Sequence, residues 1–386
     1  MSSILWYGGH ERLIEAVRAD GLFVYDENGK AYMDLESGVW CLPLGHGAGA
    51  VKSALTDQMN KCFHTGYAYS CSVVEEAADK LLESVSFENG RCVFLSSGSE
   101  AVETGAQLMR KVSGRKFMTM ADSFLGSHGS VCEMEPDEWY LFDWSKCLDY
   151  SEDYENCPEF NKIPFEDIGG FIFEPGSSAG LVRFPPEKLI TAISKRLKEH
   201  GGLIMVNEVT TGIGRTGKLY GHEHYSIKPD IVAIGKGIGN GYPVSATLMT
   251  SDVAKLAKDK SFGISQSHQN DPAGAAVAIA VLEELNRADL VKNSEDVGIY
   301  FMERINELKS KHACISEIRG RGLMLSITFE GVEDDYLKGV FNKLVNAGYI
   351  LVKRPGLKVF RIDPPLIISE EDINGFVKTL DEILSA

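Results

Sequence analysis

Residues 185–209 read PPEKLITAISKRLKEHGGLIMVNEV, and their two halves have different periodicities. The first half opens on Pro185 and Pro186, repeats Leu189, Ile190, Ile193 and Leu197 at helical spacing, and stops at Gly201, which predicts a helix. The second half, LIMV, is apolar without alternation, as expected of a strand covered on both faces. A similar run, GGFIFEP at 169–175, precedes the helix. Strand, helix, strand implies a parallel crossover, and so an α/β layer architecture.

The same rhythm extends outward in both directions. RCVFLSS, KFMTMAD, DIVAIGK and SATLMT complete a set of six apolar runs between Arg91 and Thr250, predicting a mostly parallel central sheet. After about Leu285 the pattern changes. The helical VGIYFMERINELKSKH leads into EIRGRGLMLSITFEG, two runs across glycines, then to YILVKRPGLKVFRIDPPLII and a last helix capped by Ser369 with Asp372 three residues on. LFVYDENGKAYMDLESG reads as a hairpin turning at Glu27, Asn28 and Gly29. The expected organisation is a large domain over 45–285 and a smaller α+β domain over 286–386, joined by the segment 1–44. Residues 133–167, with twelve acidic residues, two lysines and several aromatics, are expected to be a surface excursion packed by its own aromatics.

The chain has 386 residues and a net charge of −16, with 44% hydrophobic and 24% charged residues. That balance excludes a disordered or fibrous protein. The acidic excess argues against nucleic acid and anionic membrane surfaces as partners. No run approaches the length needed to span a bilayer, and MSSILWYGGHERL lacks a signal-peptide pattern, so a cytoplasmic location is expected. Eight cysteines without a CxxC pair are read as buried free thiols, with no metal site expected.

Glycine motifs differ in what they can support. GIGRTG at 212–217 matches a dinucleotide fingerprint by letter, but no helical pattern follows, so a turn-rich loop is expected. His222 and His224 lack the spacing of helical metal ligands and are read as exposed loop residues. In SSGSEAVETGAQLMRK a strand runs straight into a helix whose start carries Ser97, Gly98 and Ser99. Serine capping alone would explain this, and so would an anion site at the helix N-terminus. In GKGIGNGYP, Lys236 stands at the C-terminal end of the apolar run DIVAIG, as either a solvated charge or an amine nucleophile delivered to where parallel sheets bind ligands. Period two puts Asn207 and Val209 on one face, with Glu208 on the other. Phe124, in DSFLGSHG, stands just after another strand. A phosphate cradle, an amine, a ring-edge polar group and a stacking aromatic together describe a site for pyridoxal 5′-phosphate.

At these residues the sequence resembles the class III aminotransferases, a pyridoxal-phosphate family of fold type I that includes acetylornithine, ornithine and 4-aminobutyrate aminotransferases. SSGSEAVE, FEPG at 173–176, NEVTTGIGRTGK, GKGIGNGYPVSA, SQSHQNDPAGAA, RGRGLMLSI and FRIDPPL follow in the family's order. The resemblance implies that Lys236 carries the cofactor as an imine and shuttles protons. It implies further that Ser97, Gly98 and Ser99 bind the phosphate, Phe124 stacks on the ring, Val209 packs beneath it and Glu174 lies near it. Ser267 would complete the phosphate site across a homodimer interface, and Arg361 would hold a substrate carboxylate.

Three departures stand out. Asn207 replaces the family's aspartate at the pyridine nitrogen, Leu125 replaces a histidine, and GSSAG follows Glu174 and Pro175 where Gln-Gly-Glu is usual. The expected activity is amino-group transfer between an amino acid or ω-amino acid and a 2-oxo acid. A racemase or epimerase of the same family and a catalytically silent homologue are the alternatives.

Overall fold

The computed structural model describes residues 3–5, 12–150, 153–354 and 356–386, so much of the opening MSSILWYGGHERL lies outside it. A seven-stranded sheet forms its centre, in the order Arg91–Leu95, Ser245–Met249, Ile231–Ile234, Leu203–Asn207, Ile168–Phe173, Lys116–Met120, Trp139–Phe142. The last five are mutually parallel, and Ser245–Met249 runs antiparallel to both of its neighbours. All six apolar runs are strands of this sheet. The crossover helix Glu187–Glu199 buries Leu189, Ile190, Ile193 and Leu197, the four residues its periodicity selects.

Two smaller four-stranded sheets flank the centre. The hairpin of Phe23–Asp26 and Ala31–Asp34 turns through residues 27–30 and accepts Tyr349–Ile350 as a parallel neighbour, tying residues from both ends of the chain into one sheet. The other sheet orders Ile315–Arg321, Met324–Phe329, Val359–Ile362 and Val352–Lys353, all antiparallel. The helix Glu370–Ser385 opens with the reciprocal Ser369–Asp372 capping box.

Three expectations are corrected. Within 133–167, Trp139–Phe142 is an edge strand of the central sheet, and Trp144, Cys147, Tyr154, Cys157, Phe160 and Phe165 pack into one cluster with Phe171, Phe173 and the crossover helix. This segment is part of a core built on the central sheet, because its aromatics find the sheet rather than only each other. His222 is not an exposed loop residue. It is buried, and its Nδ1 lies 2.8 Å from Glu208 Oε1. All eight thiols are free, but only Cys147 and Cys157 are fully buried, while Cys62 and Cys132 are exposed. No described helix is long and apolar enough to cross a membrane.

Candidate active site

The C-terminal ends of the parallel strands meet the start of the helix Gly98–Ser113 in a cleft of about 130 Å³. Gly98, Ser99, Phe124, Asn207, Val209 and Lys236 all line it, together with Thr210 and the Leu125–Ser127 stretch. Six of the residues singled out in the sequence, scattered over nearly 140 positions, thus face one space.

Close approach of three backbones makes this possible. A Cβ on Gly98 would lie 2.5 Å from Val209 Cγ1, and one on Gly235 would lie 3.1 Å from the Gly98 Cα. Only glycine lets the helix start, the 209 loop and the lysine loop converge here. Lys236 itself takes a left-handed φ of 46° one glycine past the Ile231–Ile234 strand, and its side chain lines the cleft. Its Nζ donates to Thr210 Oγ1 at 3.1 Å and lies 5.1 Å from the centre of the Trp40 ring. Burial holds its pKa below that of an ordinary lysine, which leaves more of the amine unprotonated and nucleophilic.

At the helix start the two serines separate in role. Ser97 Oγ accepts from Glu100 N–H and donates to Glu100 Oε2, so its hydroxyl is committed to a capping box. Gly98 and Ser99 supply first-turn N–H groups that have no intrahelical acceptor, and Ser99 Oγ is fixed by the N–H of Ser127 at 3.0 Å. This is a cradle for an anion at the positive end of a helix.

Asn207 is oriented by backbone on both sides. Its Oδ1 accepts from Val209 N–H at 3.2 Å and its Nδ2 donates to the Phe124 carbonyl at 3.1 Å. Phe124 is held from its other side by Glu174, whose Oε2 accepts the Phe124 N–H at 3.0 Å while Oε1 accepts the Ser178 hydroxyl. Burial raises the Glu174 pKa to about 7, against the opposing effects of those two donors and the charge of Lys236. Glu174 therefore positions the aromatic rather than lining the cleft. Opposite Asn207, Glu208 is fully buried and accepts from Thr211, from the N–H groups of Gly221 and His222 and from the His222 ring, which braces the strand end from behind.

Arg361 and Ser267 lie outside the cleft. Arg361 is buried on the Val359–Ile362 strand, its Nε donating to Asp363 at 2.6 Å and its guanidinium 3.5 Å from the centre of the Trp40 ring. Trp40 thus stands between Lys236 and Arg361. It is carried by Ser37–Trp40, a turn in which all four residues have φ between 51° and 63°. Left-handed backbone costs roughly 1–2 kcal/mol for each non-glycine residue. The turn is held by Asp34, which accepts from the N–H groups of Glu36 and Ser37, and by the Ser37 hydroxyl, which donates to the Asp363 carbonyl. Ser267 is exposed on the segment before the helix Pro272–Arg287. Sequence reasoning missed Trp40, Thr210 and Asp363. Thr210 adjoins Val209 in an already suspicious motif, whereas no local pattern marks the left-handed turn.

The residues present fit pyridoxal phosphate. The cradle could take a phosphate, the cleft lined by Phe124 and Val209 could take a flat ring, and a desolvated lysine faces the same space. A fold type I architecture with such a lysine at the sheet's C-terminal edge defines a pyridoxal-phosphate-dependent transferase. The profile of the family named aminotransferase class-III matches residues 7–136 and 142–384. The acetylornithine aminotransferase of Aquifex aeolicus is 32% identical across 96% of this chain and 97% of that protein. A Bacillus anthracis aminotransferase superposes with a TM-score of 0.91 at 25% identity, covering 99% of this chain and 96% of that one. The acetylornithine aminotransferase of Elizabethkingia anophelis does so with a TM-score of 0.86 at 26% identity, covering 98% of this chain and 96% of its own. The chain belongs to the class III aminotransferases and is a pyridoxal-phosphate-dependent aminotransferase.

Proposed function

We propose that this enzyme moves an amino group between an amino acid or ω-amino acid, of the acetylornithine or ornithine type, and a 2-oxo acid such as 2-oxoglutarate. The observation that carries the reading is the placement of the Lys236 amine, desolvated and bonded to Thr210, in the cleft with Asn207 and the helix start. Gly98 and Ser99 hold the phosphate through backbone N–H groups, Phe124 and Val209 sandwich the ring, and Asn207 meets its edge. When bound, pyridoxal phosphate supplies an electron-withdrawing ring conjugated to the amino nitrogen, which acidifies the adjacent C–H bond. Lys236 Nζ first holds the cofactor. Once the amino donor has displaced it, the freed amine would take the proton from the donor carbon and deliver it to the carbon on the far side of the shared nitrogen, which leaves the amino group on the cofactor. Returning it to the donor carbon instead would transfer nothing. Arg361 anchors a substrate carboxylate, for which a planar guanidinium is suited.

In this reading the working unit is a cytoplasmic homodimer, with Ser267 of each subunit donating to its partner's phosphate. The segment 1–44 joins a small domain over 286–386, and 45–285 forms the cofactor domain. Nucleic acid and membranes play no part.

Asn207 supports a second reading. An amide bears no charge with which to hold a proton on the pyridine nitrogen, so proton return to the original carbon competes better with transfer, as a racemase requires. A half-reaction screen against amino donors, followed by visible absorbance, separates the two. A cofactor band that bleaches as the amine form accumulates supports transamination. A band that persists while optical rotation falls supports racemisation, and a band that persists with unchanged optical rotation for every amino donor would overturn both.

A further inference from the structure

About 200 positions separate His64 from His268 and Asp271, yet the three meet on the surface. The helix Gly49–Met59, which leads toward His64, packs along the helix Pro272–Arg287, whose N-cap is Asp271. Asp271 Oδ1 lies 2.6 Å from His64 Nδ1, and its Oδ2 lies 2.7 Å from His268 Nδ1. The two imidazole rings are 5.0 Å apart between centroids, inclined at 52°. One carboxylate therefore draws two imidazoles together. Among the described residues this is the only group of three such side chains that can offer one ligand atom each within 4.8 Å of one another.

We propose that His64, His268 and Asp271 bind a divalent transition-metal cation of the zinc class. The donor set selects that class. Two imidazoles with one carboxylate suit zinc, cobalt and nickel, whereas calcium and magnesium require mainly oxygen. Ligand atoms at about 2.0–2.1 Å around a tetrahedral ion are roughly 3.3 Å from one another. The widest separation here must therefore close, by rotation of the two histidine side chains about the shared carboxylate. His64 and His268 are 44% and 63% exposed, while Asp271, at 18%, provides the fixed point.

The surroundings hold the ligands' backbones in place. Asn270, next to Asp271, pairs with both backbone groups of Phe94, its N–H donating to the carbonyl at 3.0 Å and its Oδ1 accepting the N–H at 2.9 Å. Gln266 donates to Ser96 Oγ at 3.1 Å and to Glu100 Oε1 at 3.0 Å, anchoring the segment to the cofactor helix. Tyr67 and Ser265 share a hydrogen bond of 2.9 Å between the same two loops. A bound cation would add a stronger cross-link between the 61–71 and 261–271 segments. It would restrain Ser267, the neighbour of His268, and that consequence rests on the dimer reading above. The metal site itself does not.

The test uses tag-free, cofactor-loaded full-length protein, stripped with a chelator and dialysed against graded zinc. The expected result is one zinc per chain, with His64→Ala and His268→Ala each weakening binding by at least about tenfold. His224→Ala, outside the cluster, should bind as the unmodified protein does. Because Asp271 caps a helix, the histidine variants carry the test, and unchanged thermal melting shows that they fold. Zinc should also slow backbone hydrogen exchange in 261–271. Undiminished zinc in the doubly substituted His64→Ala, His268→Ala protein overturns the site, and so does a stoichiometry well below one per chain. Unaltered exchange in 261–271 overturns the cross-link.

Discussion

The two sides of Trp40 are built on different principles. On the Lys236 side, each contributing residue comes from a short motif at the end of a parallel strand, and the groups converge because Gly98 and Gly235 let backbones touch. On the Arg361 side, a buried arginine pairs with an aspartate two residues on, and a four-residue left-handed turn more than 300 positions earlier is bonded to that aspartate's carbonyl. The Lys236 side is assembled by local geometry, and changes there should alter chemistry. The Arg361 side is assembled by mutual compensation of buried charges, and changes there should alter stability first.

The largest effect that would sharpen this contrast is at Asp363. Burial opposes its charge, while Arg361 and Arg215 favour it. Asp363→Ala leaves buried guanidinium charge uncompensated and should cost about 3–5 kcal/mol in urea unfolding. Wild-type stability in this variant would mean that the arginines are solvated, and the contrast would fail.

Gly98→Ala should come next. The added methyl meets Val209 Cγ1 at 2.5 Å, and overpacking of this kind costs about 1–3 kcal/mol. Cofactor retention should fall, and Val209→Ala in the same chain should restore it by making room. If the second substitution gives no rescue, the close approach is not what requires the glycine.

Asn207→Asp acts on chemistry with a smaller penalty. A carboxylate at the ring edge would stabilise a protonated pyridine nitrogen, and about 1.4 kcal/mol gained there accelerates the first half-reaction about tenfold. The same change sets an anion against the Phe124 carbonyl, where Asn207 now donates at 3.1 Å, so stability should drop by about 1 kcal/mol. A stopped-flow half-reaction with a good amino donor reads the first effect. An unchanged rate would remove Asn207 from the ring edge.

Glu174 offers the smallest and most specific effect. Burial raises its pKa to about 7 in the folded protein, so the folded state holds a proton that the unfolded chain releases near the ordinary carboxyl value. Its contribution to stability is complete below that ordinary value and is lost as pH rises through about 7. Glu174→Gln should therefore flatten the dependence of melting temperature on pH across this window. Parallel pH profiles for the two proteins would show that the carboxyl is not buried as described.

The same division explains what the sequence made legible. Strands buried on both faces declare themselves as continuous apolar runs, so six of the seven central strands could be read directly. Trp139–Phe142 could not, because a four-residue edge strand among acidic residues has too little pattern to separate it from a loop. Gly98, Asn207 and Lys236 were legible since strand ends and glycines mark them locally. Trp40 was not, because its placement depends on a left-handed turn stabilised by Asp34 and by the Asp363 carbonyl, contacts no local pattern encodes. His222 was misread for the same reason. Its burial comes from Glu208, fourteen positions earlier.

Everything on the Lys236 side turns on one nitrogen. Borohydride reduction of the cofactor-loaded enzyme, followed by peptide mapping, fixes pyridoxal phosphate irreversibly to the lysine that holds it. The account predicts a single labelled peptide containing Lys236, the lysine whose amine faces Thr210 in the cleft. Label on any other lysine, or no label in protein that carries the cofactor, would contradict it.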